Sequence, residues 1–220
     1  MASEIIDRVP GPLYFITMDD GPMDHLRQVE MACEAGVRWI QMRMKEVDDM
    51  AFRETAKAAM RVCAAFGSHL ILNDRVGIAC ELKGERGFAG VHLGLEDMGV
   101  AEARVLLGAD CIIGGTANTL EDVVRHALAG ADYVGVGPYR YTSTKKKLSP
   151  LLGLEGYRRI LEGMGAWGLG LPVIAIGGIE AGDVAGLMDV GVYGVAFSGM
   201  LVHAGDKAGL IRGLLLSAAG

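Results

Sequence analysis

Eight short apolar runs recur along the 220-residue chain, and stretches with helical hydrophobic spacing separate them. This alternation constrains the fold more than any single motif. The runs are "LYFIT" (13–17), "WIQMRM" (39–44), "HLILND" (69–74), "GVHLG" (90–94), "CIIGGT" (111–116), "YVGVGP" (133–138), "PVIAIGG" (172–178) and "GVAFSG" (194–199). Their length and composition predict strands. Between them, Leu26, Val29 and Ala32/Cys33 recur at helical spacing in 24–36, and 48–67 reads as a longer helix that Gly67 closes. Further helices are expected over 100–108, 120–130, 154–164, 181–191 and 204–220, while 75–84 is short. A weak repeat, "EAGVRWIQ", "LAGADYVG" and "DVGVYGVA", ends a helix on glycine and re-enters a strand, which marks a βα unit. Near-continuously apolar strands joined by helices require a parallel sheet covered on its faces, and eight such units close a (β/α)8 TIM barrel more naturally than an open doubly wound sheet.

A 51% hydrophobic composition and a mean hydropathy of +0.31 supply a large core, so one domain over 1–220 is expected, with 1–12 as an N-terminal extension. The 33 glycines are scattered at the ends of apolar runs, as many tight turns require. A net charge of −6 and a pI near 5.4 argue against a nucleic-acid surface. Cys33, Cys63, Cys80 and Cys111 form no C-x-x-C pair and read as reduced core thiols. The start "MASEIIDRVPGP" lacks the basic and apolar regions of a signal peptide, and no apolar run reaches membrane-spanning length. A cytoplasmic protein without membrane or nucleic-acid partners is expected, and a homo-oligomer is compatible with the chain.

Barrel chemistry gathers at the C-terminal ends of the strands. Gln41, Arg43 and Lys45 occupy alternate positions through the second run, so a strand there turns all three the same way. Asn73 and Asp74 end the third run, His92 and Asp97 belong to the fourth and its loop, and Thr116 ends the fifth. Two carboxylates beside an arginine and lysines suit Mg²⁺ together with a polyphosphate, because Mg²⁺ keeps waters and substrate oxygens around one or two carboxylates. Alone, "ND" reads as a turn and "ED" as a helix cap. The loops "AIGGIEAGD" and "FSGM" stand where barrels bind phosphate through backbone N–H groups, although "GG" alone is also an ordinary tight connection. His92 reads equally as a general base or as a core hydrogen-bonding group. His25, His69, His126 and His203 read as surface or packing residues. The histidine and cysteine spacing offers no zinc site, and no G-x-S-x-G elbow is present.

The segments "QMRMK", "LILND", "GVHLGLED", "GADYVGVGPYRYTSTKK" and "VIAIGGI" follow one another in the order found in thiamine phosphate synthases, a family the chain resembles from Leu13 to the last helix. The resemblance implies a transferase that joins 4-amino-2-methyl-5-hydroxymethylpyrimidine diphosphate to 4-methyl-5-(2-hydroxyethyl)thiazole phosphate with release of pyrophosphate, and it implies Mg²⁺. By motif match, Gln41, Arg43, Lys45 and Asn73 hold the pyrimidine diphosphate, Asp74 and Asp97 the metal, and Lys145 the leaving pyrophosphate. Thr116 takes the place of a family serine. Thr142, Thr144, Gly178, Ser198 and Gly199 hold the thiazole phosphate. The chain departs from the family's usual pattern at "TANT", where Asn118 replaces a histidine, and at Arg140 and Tyr141, where an aromatic and a proline are commoner. Two alternatives stand beside this reading: a thiazole tautomerase of the same superfamily, which needs no diphosphate and metal cluster, and a non-catalytic thiamine phosphate binding protein.

Overall fold

A computed structural model describes residues 8–141 and 151–219. Its eight strands are β1 (Leu13–Ile16), β2 (Trp39–Met42), β3 (His69–Asn73), β4 (Phe88–Leu93), β5 (Ile112–Ala117), β6 (Tyr133–Val136), β7 (Val173–Ala175) and β8 (Gly194–Phe197). Every neighbouring pair is parallel, and β8 pairs with β1 to close the barrel in sequence order. The helices outside it are α1 (His25–Glu34), α2 (Asp49–Phe66), α3 (Val76–Leu82), α4 (Val100–Leu107), α5 (Leu120–Leu128), α6 (Gly153–Ala166), α7 (Val184–Asp189), α8 (Gly199–Val202) and α9 (Lys207–Ala218). Among the described residues no helix is long and apolar enough to cross a membrane.

Local chemistry accounts for the helix ends. Asp24 and Asp48 accept hydrogen bonds from Arg27 N–H and Ala51 N–H, and Thr119 and Asp122 form a reciprocal capping box. The sequence repeat has a single geometric cause. Gly36, Gly130 and Gly191 all adopt positive φ, and their N–H groups return to Cys33, Ala127 and Met188. The next residues, Val37, Ala131 and Val192, reach back to the fifth residue before them, the pairing that turns a helix sharply into a strand.

Alternate strand residues face the helices or the barrel interior. Phe15, Ile40, Leu70, Leu72, Ile113, Val134, Val136, Val195 and Phe197 join the helix-facing core. Tyr14, Trp39, Ile71, Ile112, Tyr133, Ile174 and Ala196 fill the interior. Large interior groups are matched by glycines: a Cβ on Gly114 would lie 2.1 Å from the Tyr133 ring, and one on Gly135 would lie 3.2 Å from His92. The end opposite the strand C-termini is tied by Asp132, whose carboxylate accepts from Arg8 and Arg104 at 2.6 Å each and from Ile113 N–H at 2.7 Å. Residues 8–12 pack there, with Val9 buried and its carbonyl accepting from the Tyr193 hydroxyl.

Several boundaries differ from expectation. β2 stops at Met42, because β1 alongside it stops at Ile16, so Arg43 and Lys45 lie in the following loop. β8 ends at Phe197 and "SGM" enters the short helix α8. Cys80 is exposed on α3, whereas Cys33, Cys63 and Cys111 are buried.

Candidate active site

The loops after β1 and β2 are knitted together by polar contacts that the sequence does not announce. The buried Thr17 hydroxyl accepts from Arg43 N–H at 2.9 Å and lies 2.8 Å from His25 Nδ1. Asp19 sits 3.5 Å from the Arg43 guanidinium and 3.3 Å from His25 Nε2, and it accepts from Lys45 N–H at 3.3 Å. Burial holds His25 below its ordinary pKa despite the nearby Asp19 carboxylate. His25 is therefore a member of the barrel mouth rather than a packing residue, and "TMDDGPMDH" hides this by reading as a plain turn.

Asp74 and Asp97 converge from the loops after β3 and β4, close enough to share a hydrogen bond. Burial and then the Asp97 carboxylate raise Asp74 to about 6, against the pull of Lys45 and Arg43. Asp74 is also the one non-glycine among the described residues with positive φ, +63°, a conformation that costs about 1 kcal/mol or more and recurs at functional sites. Asp97 is fixed by the Gly94 N–H at 2.8 Å, and Asn73 is buried at the end of β3. The described residues contain no group of three or more metal-ligating side chains. Two like charges held together beside two cations form a pair that can hold a divalent ion.

Beneath the mouth, a chain of hydrogen bonds crosses the barrel. Gln41 Nε2 donates to the Tyr14 hydroxyl at 2.8 Å, Tyr14 Oη lies 2.8 Å from Tyr133 Oη, and Tyr133 Oη lies 3.0 Å from His92 Nδ1. His92 Nε2 is in turn 3.0 Å from Thr116 Oγ1. Burial drives both phenol pKa values up, so each keeps its proton. Tyr14 stacks on Trp39 with ring centres 3.9 Å apart.

On the other side of the mouth lies a cavity of about 530 Å³, lined in part by Thr17, Arg43, Arg140, Gly178, Ser198 and Gly199. Ile176, Ile179 and Phe197 give it an apolar wall. Gly177 and Gly178 take φ of +96° and +69° to make the turn after β7. Arg140 pins this turn with a bidentate pair to Asp183 at 2.7 and 2.8 Å and a bond to the Gly178 carbonyl at 3.0 Å. Burial alone would raise Asp183, but Arg140 and the Glu180 N–H outweigh it and hold the carboxyl below its usual range. Asn118 donates to the Gly137 carbonyl and thus braces the next loop.

The fold thus brings Arg43, Gly178, Ser198 and Gly199 to one cavity, Asp74 and Asp97 into one pair near Arg43 and Lys45, and Gln41, His92 and Thr116 into one hydrogen-bonded chain. Thr142, Thr144 and Lys145 lie outside the described residues.

The family model described as Thiamine monophosphate synthase matches residues 13–201. The chain is 48% identical to a thiamine-phosphate synthase of Bacteroides fragilis over 88% of this chain and 93% of that one. It is 41% identical to a thiamine-phosphate synthase of Flavobacterium johnsoniae over 92% and 93%. Among solved structures, a thiamine phosphate pyrophosphorylase from Pyrococcus furiosus superimposes with a TM-score of 0.81 at 29% identity, covering 96% of this chain and 97% of that one.

Proposed function

The chain belongs to the thiamine monophosphate synthase family, whose members are enzymes, and from that premise we propose that it joins the pyrimidine diphosphate to the thiazole phosphate and releases pyrophosphate. The Asp74–Asp97 pair, flanked by Arg43 and Lys45 and adjoining the cavity, carries this reading. The 4-amino group of the pyrimidine feeds electrons toward its methylene carbon, so the barrier lies mainly in the departure of a highly charged group. A protein meets that demand with preorganised positive charge rather than with a nucleophile.

Arg43 lines the cavity and reaches toward Asp19, so its guanidinium can meet a diphosphate at the junction of the two half-sites. Lys45 stands exposed beside the carboxylate pair and Lys145 is assigned to the departing pyrophosphate. Gln41 and Asn73 are assigned to the pyrimidine diphosphate, with Thr116 and His92 beneath it. Bound Mg²⁺ would neutralise charge on the leaving pyrophosphate oxygens, held by Asp74 and Asp97. Backbone N–H groups around Gly178, Ser198 and Gly199, together with Thr142 and Thr144, are assigned to the thiazole phosphate. Anchoring both substrates by their phosphates brings the thiazole nitrogen and the methylene carbon to near-attack separation, which removes much of the entropic barrier.

Calorimetry with the pyrimidine diphosphate, with and without Mg²⁺, tests this assignment. Binding that requires the metal and fails in Asp97→Ala is expected. Equal binding in chelator would contradict the metal assignment, no binding of the pyrimidine diphosphate in either condition would favour the tautomerase, and tight binding of thiamine phosphate without turnover would favour the non-catalytic binder.

A further inference from the structure

The hydrogen-bond chain through the barrel has one proton per link, and its geometry fixes the direction in which those protons point. Gln41 Nε2 donates to Tyr14 Oη at 2.8 Å, and among the described residues the one other partner of that buried hydroxyl is Tyr133 Oη. If Tyr133 also donated to Tyr14, the Tyr14 hydrogen would have no acceptor in the interior, at a cost comparable to a lost hydrogen bond. Tyr14 therefore donates to Tyr133. The single Tyr133 hydrogen then goes to His92 Nδ1 at 3.0 Å, which makes that nitrogen an acceptor. A neutral imidazole with a bare Nδ1 carries its hydrogen on Nε2, and this one donates to Thr116 Oγ1 at 3.0 Å.

We propose that Tyr14 and Tyr133 are positioning residues that lock His92 in the Nε2–H tautomer, so that the Thr116 hydroxyl accepts from His92 and keeps its own hydrogen for an acceptor atom of the substrate. The same ordering leaves the amide oxygen of Gln41, at the opposite end of the chain, as an acceptor. The chain beneath the mouth thus ends in a donor at β5 and an acceptor at β2, a polarity that discriminates between a substrate edge and its reverse. Gly114 and Gly135 are part of the device, since a side chain at either would intrude on Tyr133 or His92. The role in substrate selection rests on the proposed synthase reading, whereas the tautomer is a property of the unliganded protein.

Nitrogen-15 NMR of the histidine ring in the unliganded protein at neutral pH reads the tautomer directly. His92 is expected to show a bare Nδ1 and a protonated Nε2, and Tyr133→Phe, with a folded spectrum retained, to lose that bias. A protonated Nδ1 in the wild-type protein would mean that the chain runs from Thr116 to Gln41 and would overturn the proposal, whatever the enzyme's activity. In turnover, Thr116→Val is expected to lower kcat/KM for the pyrimidine diphosphate about tenfold, Thr116→Ser to restore it, and Tyr133→Phe to add little to Thr116→Val. Independent, multiplying losses in the double variant would equally overturn the linkage between Tyr133 and Thr116.

Discussion

The residue with the most to reveal is Asp74. Its folded-state value of about 6 lies above the ordinary 3.8, so the folded protein binds the proton more tightly than the unfolded chain does. The contribution of Asp74 to stability is then present at low pH and is lost as pH rises from about 4 through 6. A divalent cation held as proposed would reverse this, because it would bind the ionised pair and compete with the proton. Mg²⁺ is expected to raise the melting temperature clearly at pH 7 and little at pH 5, and Asp97→Asn is expected to abolish most of the difference. A metal-induced shift of the same size at both pH values would contradict the pairing of these carboxylates. At Arg43, replacement by alanine is expected to lower kcat/KM about a hundredfold or more, read in steady-state assays, since the role proposed for the guanidinium is to meet charge as it develops. Asp74, Asp97, Arg43 and Lys45 were legible because charged groups at strand ends demand partners. Thr17, Asp19 and His25 were not, because their role is visible only once β1 and β2 lie side by side.

At the scale of elements, all eight strands could be read from their apolar runs, while their ends could not. Alternation in "WIQMRMK" extends past Met42, yet a strand persists only as far as its neighbours supply backbone partners. Gln41 thus points into the interior toward Tyr14, while Arg43 and Lys45 reach the mouth from a loop. The interior glycines were equally silent, since "IIGGT" gives no hint that Gly114 clears the Tyr133 ring. Gly114→Ala would place a Cβ 2.1 Å from that ring, whose hydroxyl is held at both sides. Overpacking of this kind costs about 1–3 kcal/mol, to be measured by denaturant unfolding, and turnover is expected to fall as the buried chain is displaced.

For the whole molecule, the two ends of the barrel divide the work. One end carries the loops of the site; the other is fastened through Asp132, which ties Arg8 to Arg104 across the closed sheet. Removing the buried carboxylate leaves Ile113 N–H unpaired and costs Arg8 and Arg104 their shared ion-pair partner, although both keep backbone carbonyl acceptors, so Asp132→Ala is expected to lower unfolding free energy by about 1–3 kcal/mol while leaving kcat/KM unchanged. Loss of activity without loss of stability would contradict this division. The closed topology was legible from the count of βα units, and the Asp132 tie was not, because Arg8 lies in a segment with no strand or helix signal and Asp132 in a helix-to-strand turn. The role proposed for the charged cluster at the barrel mouth is to drive pyrophosphate departure. It is tested most directly by incubating the purified protein with both substrates, with Mg²⁺ and with chelator, and measuring thiamine phosphate. Metal-dependent product, lost in Asp74→Ala and Asp97→Ala, is the expected result; no product from folded protein, or product formed equally in chelator, would contradict it.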